Sequence, residues 1–316
     1  MLELAKWVFL ILFVTEFILG MLGNGFIVLI NGSTWLKSKR ISLSDFIITN
    51  LALSRVVLLG IILTDSTLLV FFFKWHESGI VMQVTDLFWT FTNHLNLWLA
   101  TCLSVFYCLK IASFSHPMFL WLKWRVSRVV VWMLLGALLS SCGSTMSLIH
   151  EFKIYSGFRG ICDTGNVSEH FRKRISEYDL IHVLGTLWNL PALIISLASY
   201  LLLIFSLGKH TQQMQHNGTS SRDPRTEAHK RAIKIILSFL LLVLLYFLAF
   251  LIAFSSHFLP DSRMVDMIGE VFIMFYPTGH TFILILGNNK LKQTFVEMLQ
   301  CEYGHLKPGS KEPISP

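Results

Sequence analysis

Seven long apolar runs dominate this 316-residue chain, and each is long enough to cross a lipid bilayer. A membrane-spanning helix needs about 20 predominantly apolar residues, and lipid requires every backbone hydrogen bond to be made within the protein. Composition agrees, because 53% of the residues are hydrophobic and only 14% are charged. We therefore predict an all-α bundle of seven transmembrane helices. The runs lie at 7–31, 46–73, 80–110, 126–149, 179–207, 232–258 and 265–286.

A single bundle domain is the simplest organisation, since no repeat of about 20 to 50 residues is visible. Glu16 interrupts the first run and no small-residue cleavage site follows it, so we expect that run to stay as an anchor. After Gly287, apolar residues recur on one helical face, which predicts an amphipathic eighth helix on the inner membrane surface. We place the seven-helix transmembrane domain at 1–300 and a disordered cytoplasmic tail at 301–316.

Basic residues are concentrated in alternate connecting segments and account for the net charge of +7. The positive-inside rule places these segments in the cytosol, the N-terminus outside and the C-terminus inside. The charges are divided among short loops and lack interleaved aromatic residues, which argues against nucleic-acid binding. They are orientation signals and could contact anionic lipid or a cytosolic partner. They include Lys37, Lys39, Arg40, Lys123, Arg125, Arg128, Arg231, Lys290 and Lys292.

Three N-glycosylation sequons test this topology. Asn166 begins Asn-Val-Ser in the longest outer loop, whereas the sequons at Asn31 and Asn217 fall on the cytosolic side. We therefore expect only Asn166 to carry sugar. Cys162 is the one cysteine in an outer loop, so we expect no disulfide there. Cys301 is a candidate for palmitoylation, with a plain free thiol as the alternative.

The third run is the most polar of the seven. Asp86, Trp89, Asn93 and Asn96 fall on one stripe of a helix with about 3.6 residues per turn. Because lipid offers no hydrogen bonds, this stripe should face protein or water, and the helix should be central in the bundle. We predict that the stripe faces a ligand in the extracellular half. The alternative is that Asn93, His94 and Asn96 only link helices.

Arg55 lies near the middle of the second run, where a guanidinium must find polar partners inside the bundle. We predict Asn24, the carbonyl groups near Pro277 and His280, and buried water as those partners. Structural pairing is favoured over ligand binding. A polar cluster with two arrangements could also act as a switch.

Catalytic motifs are missing from the sequence. There is no phosphate-binding glycine loop, no zinc-type spacing of Cys and His, and no nucleophile elbow. We predict neither an enzyme nor a cofactor or metal site. One alternative is a small-molecule transporter or channel, in which Arg55 and Glu270 would line a pathway. The lack of internal repeats argues against it.

Long strings of the sequence closely resemble the type 2, or bitter, taste receptors, and the resemblance covers essentially the whole chain. The strings are NHLNLWLATCLSVFYCLKIASFSHPMFLWLKWRV (93–126), LALSRVVLL (51–59), SLASYLLLIFSLGKHTQQMQ (196–215), TEAHKRAIKIILSFLLL (226–242) and FYPTGHTFILILGNNKLKQTF (275–295). A pheromone-type seven-helix receptor, which is distantly similar, is the second alternative.

The resemblance implies a G-protein-coupled receptor for bitter compounds in the plasma membrane of taste cells. It implies coupling to gustducin and release of calcium through phospholipase C. It also implies a ligand pocket between helices 3, 5, 6 and 7 in the outer half of the membrane. The matching positions are Trp89, Asn93, Tyr246, Phe250 and Glu270, and the stripe of the third run adds Asp86.

The resemblance also points to signalling residues. Family members place an Asn in helix 1 and an Arg in helix 2, which Asn24 and Arg55 match, and a helix 3 signature matches Tyr107 and Lys110. The family usually shows His-Ser in helix 7, where this chain has His280 followed by threonine, a change that keeps the hydroxyl. The tyrosine that relatives commonly carry in helix 6 is replaced by Val243.

Overall fold

The computed structural model describes residues 2–71, 80–159, 187–216, 224–256 and 263–306, and helices make up almost all of this part of the chain. The helices are α1 (Leu2–Ser38), α2 (Leu43–Phe71), α3 (Ile80–Ile111), α4 (Pro117–Trp124), α5 (Val126–Arg159), α6 (Leu190–His216), α7 (Pro224–Ser256), α8 (Arg263–Gly287) and α9 (Asn289–Leu306).

Seven of these helices overlap the seven predicted apolar runs, of which residues 72–73, 179–186 and 257–258 lie outside the described part of the chain. Six of them, α1, α2, α3, α5, α6 and α7, contain apolar stretches long enough to cross a membrane. The seventh, α8, has 25 residues, which span about 37 Å, and it packs against α1 and α7. The predicted all-α bundle of seven transmembrane helices is confirmed, and the chain is a multi-pass membrane protein.

α3 is the central helix, as its polar stripe predicts. It packs against α2, α5 and α6, and 67% of the residues in its most apolar stretch are buried. The corresponding share for α5 is 22%, because most of that helix faces outward. The remaining contacts join α6 to α7, α7 to α8, α8 to α1 and α1 to α2, so the helices close into a ring.

Small residues allow α1 to approach α2 and α8 closely. A Cβ atom added at Gly20 would lie 2.8 Å from Cδ1 of Leu59 and 3.1 Å from Oγ1 of Thr278. At Gly25, by contrast, an added Cβ would meet nothing within 4 Å. An alanine at Gly20 would therefore force Leu59 to shift, whereas an alanine at Gly25 would displace nothing.

The short helix α4 has no counterpart in the sequence analysis, which left residues 117–124 in the link between the third and fourth runs. It begins at Pro117, a residue favoured in the first turn of a helix. Nζ of Lys123 donates a hydrogen bond to the Ala112 carbonyl at 2.7 Å, and the Arg125 guanidinium lies 4.8 Å from the Trp121 ring centroid. Trp124 is 95% exposed, which suits the inner membrane interface.

The predicted eighth helix is present as α9 and is held against the C-terminal half of α1. Oδ1 of Asn288 caps it by accepting hydrogen bonds from the backbone N–H groups of Lys290 and Leu291, at 3.0 and 3.3 Å. Phe295 packs edge-on against Phe26 with the ring centroids 5.6 Å apart. The helix continues to Leu306, past the predicted domain limit at residue 300. Residues 307–316 lie outside the described part, so a disordered tail stays a prediction.

Asn31, the first asparagine of a sequon expected to stay bare, is only 1% exposed. Its Nδ2 donates to Oγ1 of Thr49 at 3.1 Å, and its Oδ1 accepts from Nζ of Lys290 at 3.2 Å. The folded bundle therefore leaves no room for a glycan on this side chain, which agrees with the expectation that Asn31 stays bare. Asn166 and Asn217 lie outside the described residues, and the predictions for them stand as predictions.

Candidate functional site

Arg55 of α2 is completely buried in the middle of the bundle. Its Nε donates a hydrogen bond to Oδ1 of Asn96 on α3 at 3.1 Å, and its Nη1 donates to Oγ1 of Thr281 on α8 at 2.9 Å. The guanidinium thus joins three helices through neutral partners. This agrees with the expected interior pairing, but the direct partners differ from those predicted.

Thr281 connects the cluster to α1. Its hydroxyl lies 2.9 Å from Oδ1 of Asn24 and 2.8 Å from the Pro277 carbonyl, and its single proton can be donated to either. Nδ2 of Asn24 donates to the Gly20 carbonyl at 2.8 Å. Asn24 and the Pro277 carbonyl, which we expected to contact Arg55 directly, are therefore reached through this hydroxyl.

His280 lies in the same layer. It is 1% exposed, and its ring centroid lies 4.5 Å from that of Phe239 and 5.8 Å from that of Tyr276. Neither ring nitrogen has a hydrogen-bond partner among the described residues. Asn24, Arg55 and His280, three of the predicted signalling residues, are thus brought together.

Two predicted ligand-binding residues meet one turn higher. Nδ2 of Asn93 donates to the Tyr246 hydroxyl at 3.4 Å, and both side chains are buried. The rings of Tyr246 and Tyr276 have centroids 4.9 Å apart. Tyr276 therefore links the Asn93–Tyr246 pair to the layer of His280.

Trp89 and Asp86 lie about one and two turns above Asn93 on α3, and both are half-buried. Phe250 lies on α7, four residues after Tyr246, and Glu270 lies on α8, seven residues before Pro277. The side chains of Phe250 and Glu270 fall outside the described part of the structure. Their place in a pocket stays a prediction.

Residues of the predicted polar stripe on α3 contact different neighbouring helices. Asn93 faces Tyr246 on α7, but Asn96, less than one turn below, faces Arg55 on α2. Asn96 is therefore a structural partner of the buried arginine, which is the alternative that the sequence left open for these residues. The depth of Asn96 in the third apolar run matches the depth of Arg55 in the second, and this match was the sequence feature that could have indicated the pairing.

His94 joins α3 to two further helices. Its Nδ1 lies 3.1 Å from Oγ of Ser141 on α5, and its Nε2 lies 3.1 Å from the Trp188 carbonyl just before α6. Nε1–H of Trp98 also points to Nε2, at 3.3 Å. A bond to the carbonyl needs a proton on Nε2, whereas a bond from the indole needs a lone pair. The two bonds exclude each other, so the tautomer of His94 decides which of them forms.

Tyr107 and Lys110 lie apart from the buried layer, at the C-terminal end of α3. The Phe106 and Tyr107 rings have centroids 5.6 Å apart, and Nζ of Lys110 lies 5.3 Å from the Phe106 ring centroid. Eleven residues separate Asn96 from Tyr107, which corresponds to about 16 Å along the helix. The predicted signalling residues therefore form two separate layers.

Residues with metal-binding side chains do not cluster in the part of the chain that the structure describes. The cysteines described there, Cys102, Cys108 and Cys142, are free thiols. The chemistry available at the site is hydrogen bonding, ring stacking and one buried positive charge. Such a site can bind and reorient a ligand.

The bundle of membrane helices, the surface helix α9 and the polar layers inside it are typical of a seven-helix membrane receptor. The family described as "Taste receptor protein (TAS2R)" matches residues 1–303. This chain belongs to the type 2 taste receptor family. It is therefore a receptor and not an enzyme, and the transporter and pheromone-receptor alternatives are set aside.

Similar proteins span the whole chain. Taste receptor type 2 member 3 of Homo sapiens is 73% identical over 314 residues, covering 99% of this chain and 99% of the relative. The protein of that name from Papio hamadryas is 72% identical over 311 residues, covering 98% and 99%. That from Mus musculus is 64% identical over 306 residues, covering 97% of each chain.

Proposed function

We propose that this receptor binds small bitter compounds in the outer half of its bundle and activates a gustducin-type G protein, which leads to phospholipase C activity and calcium release. It acts in the plasma membrane, with its N-terminus outside and its C-terminus in the cytosol. The observation that carries the proposal is the contact between Asn93 and Tyr246. It joins the polar stripe of α3 to α7 inside the bundle.

The pocket would lie above this contact. A compound stacks on Trp89, and Asp86, Asn93 and Glu270 supply the polar contacts that orient it. At 3.4 Å the Asn93–Tyr246 hydrogen bond is long for its type. A ligand that offers Asn93 a shorter hydrogen bond can therefore replace it at small cost.

Transmission would run through the rings below the pocket. Tyr246 contacts Tyr276, Tyr276 contacts His280, and His280 adjoins the threonine that binds Arg55. A ligand that prefers one arrangement of these rings shifts the population toward it. The Arg55–Asn96 bond, which joins α2 to α3, is the contact that such a shift would alter.

The inner layer would then receive the G protein. Lys110 is exposed at the end of α3, and Tyr107 is half-buried one turn above it. Movement of α3 would change the position of both residues relative to the basic inner loops. Anionic lipid in the inner leaflet would hold these loops at the membrane surface.

A calcium assay with a gustducin chimera and a panel of bitter compounds tests the proposal. Trp89→Ala should raise the half-maximal agonist concentration by about tenfold or more, equivalent to about 1.4 kcal/mol of binding. Trp132→Ala is the matched control, because Trp132 is 72% exposed on α5 and should leave potency unchanged. Unchanged potency of Trp89→Ala for every agonist, at equal surface expression, would remove Trp89 from the pocket.

Glycan mapping tests the orientation separately. Asn166→Gln should abolish a mobility shift that a glycosidase removes from the wild-type chain, whereas Asn217→Gln should leave that shift intact. A glycan on Asn217 would reverse the proposed topology.

A further inference from the structure

The Arg55 guanidinium carries a buried positive charge that no described side chain neutralises. Its two described partners, Asn96 and Thr281, are neutral. The acidic residues of the helices around it lie at least eight residues from its layer, or about 12 Å along the helix axes. They are Glu3 and Glu16 on α1, Asp45 and Asp65 on α2, Asp86 on α3, and Asp266 and Glu270 on α8.

An unbalanced charge in this position is costly. A guanidinium stays protonated under all ordinary conditions, and burying it without an opposite charge costs several kcal/mol. Hydrogen bonds to an amide and a hydroxyl satisfy Nε and Nη1, but they bring no negative charge. The network therefore satisfies only part of the hydrogen-bonding requirement of Arg55 and leaves its charge uncompensated.

Arg55 and His280 carry buried polar atoms that have no hydrogen-bond partner among the described residues. Nη2 of Arg55 is buried and has no described partner, so two N–H groups are free to donate. Both ring nitrogens of His280 are buried and equally unpartnered, and a neutral imidazole adds one more donor. His280 directly precedes Thr281, which accepts from Nη1 of the same guanidinium. The two side chains thus share one layer.

We propose that a monovalent anion, chloride, binds between Nη2 of Arg55 and the ring of His280. Water would satisfy the free donors but would leave the charge uncompensated. Larger anions such as sulfate do not suit a layer in which Arg55 and His280 are almost completely buried and Phe239 packs at 4.5 Å from the imidazole. Because the guanidinium joins α2, α3 and α8, the bound anion stabilises this arrangement of the helices.

Thermal unfolding of the purified receptor tests the site. Replacing sodium gluconate with sodium chloride or bromide at constant ionic strength should raise Tm by about 2–4 °C in a saturable manner. His280→Phe keeps an aromatic ring against Phe239 and removes both nitrogens, so the half-saturating halide concentration should rise about tenfold or more. Lys290→Gln is the control, because Lys290 is a cation at the inner end of the bundle and its loss should not change the halide response.

A structure determined in bromide gives an independent readout, with anomalous density expected beside Nη2 of Arg55. Arg55→Gln should remove both the density and the halide dependence. If Arg55→Gln does not fold, the halide response of His280→Phe and the bromide map of the wild-type receptor still test the proposal. The proposal is overturned if Tm is the same in gluconate and chloride, if His280→Phe responds like wild type, or if the density is that of water without anomalous signal.

Discussion

Replacing Thr281 with valine tests the central network most directly, because valine keeps the shape of the side chain and removes only the hydroxyl. The variant leaves Nη1 of Arg55 and Oδ1 of Asn24 without their 2.9 Å partners. A hydrogen bond to a charged group contributes about 1.5–3 kcal/mol and a neutral one about 0.5–1.5 kcal/mol. The expected loss of stability is therefore about 2–4 kcal/mol, or about 4–8 °C in Tm.

Thr281→Ser is the matched variant, because it keeps the hydroxyl and removes the methyl group. That methyl would lie 3.1 Å from a Cβ atom placed at Gly23, so it packs against the open face of α1. Loss of one buried methyl costs about 1 kcal/mol, or about 2 °C. Differential scanning fluorimetry of the purified receptors measures both values. Equal Tm values for the valine and serine variants would refute the assignment of Thr281 as the connecting residue.

Substitutions at three further places in the structure test other contacts. Gly20→Ala should lower Tm because its Cβ would overlap Leu59, at a cost of about 1–3 kcal/mol, whereas Gly25→Ala should be neutral or stabilising by up to about 1 kcal/mol. Asn288→Ala removes the cap of α9 and should cost about 1 kcal/mol, measured as faster amide exchange in its first turn. His94→Phe should cost about 1–3 kcal/mol because it breaks the links to α5 and α6, whereas Trp98→Phe should cost under about 1 kcal/mol.

Each of these expectations has a result that contradicts it. Equal effects of alanine at Gly20 and Gly25 would show that the α1 interface is looser than the structure indicates. Unchanged exchange in Asn288→Ala would mean that packing alone holds α9. A Trp98→Phe variant as unstable as His94→Phe would show that the indole bond, and not the Trp188 carbonyl, is the partner of His94.

The membrane helices could be predicted from sequence because bilayer thickness sets a length that apolar runs must reach. Arg55 could be assigned to the interior for a similar reason, since lipid cannot solvate a guanidinium. The partner of Arg55 could not be chosen. Asn93 and Asn96 lie on one polar stripe, but α3 has neighbours on several sides, and periodicity does not say which neighbour each residue meets.

The role of Thr281 and the presence of helix α4 were not predicted from the sequence, and local sequence features explain why. Thr281 was noted only for keeping a hydroxyl, since a threonine in an apolar run commonly bonds its own helix backbone, as Thr281 also does with Pro277. Helix α4 escaped notice because its apolar residues continue into the fourth run. The signal that could have revealed it was Pro117, which begins a new helix after an extended residue.

α1 is bonded to the C-terminal part of the chain at two heights, to α8 by the Asn24–Thr281 bond in the middle of the bundle and to α9 by the Asn31–Lys290 bond near the C-terminal end of α1. Hydrogen bonds at two different levels resist both rotation and separation of the helices. At the lower level, Thr49 of α2 also accepts a hydrogen bond from Asn31. Hydrogen bonds at both levels therefore link α1 and α2 to the successive helices α8 and α9. We therefore expect any rearrangement of the bundle to occur between this group of helices and α6 and α7 rather than within the group.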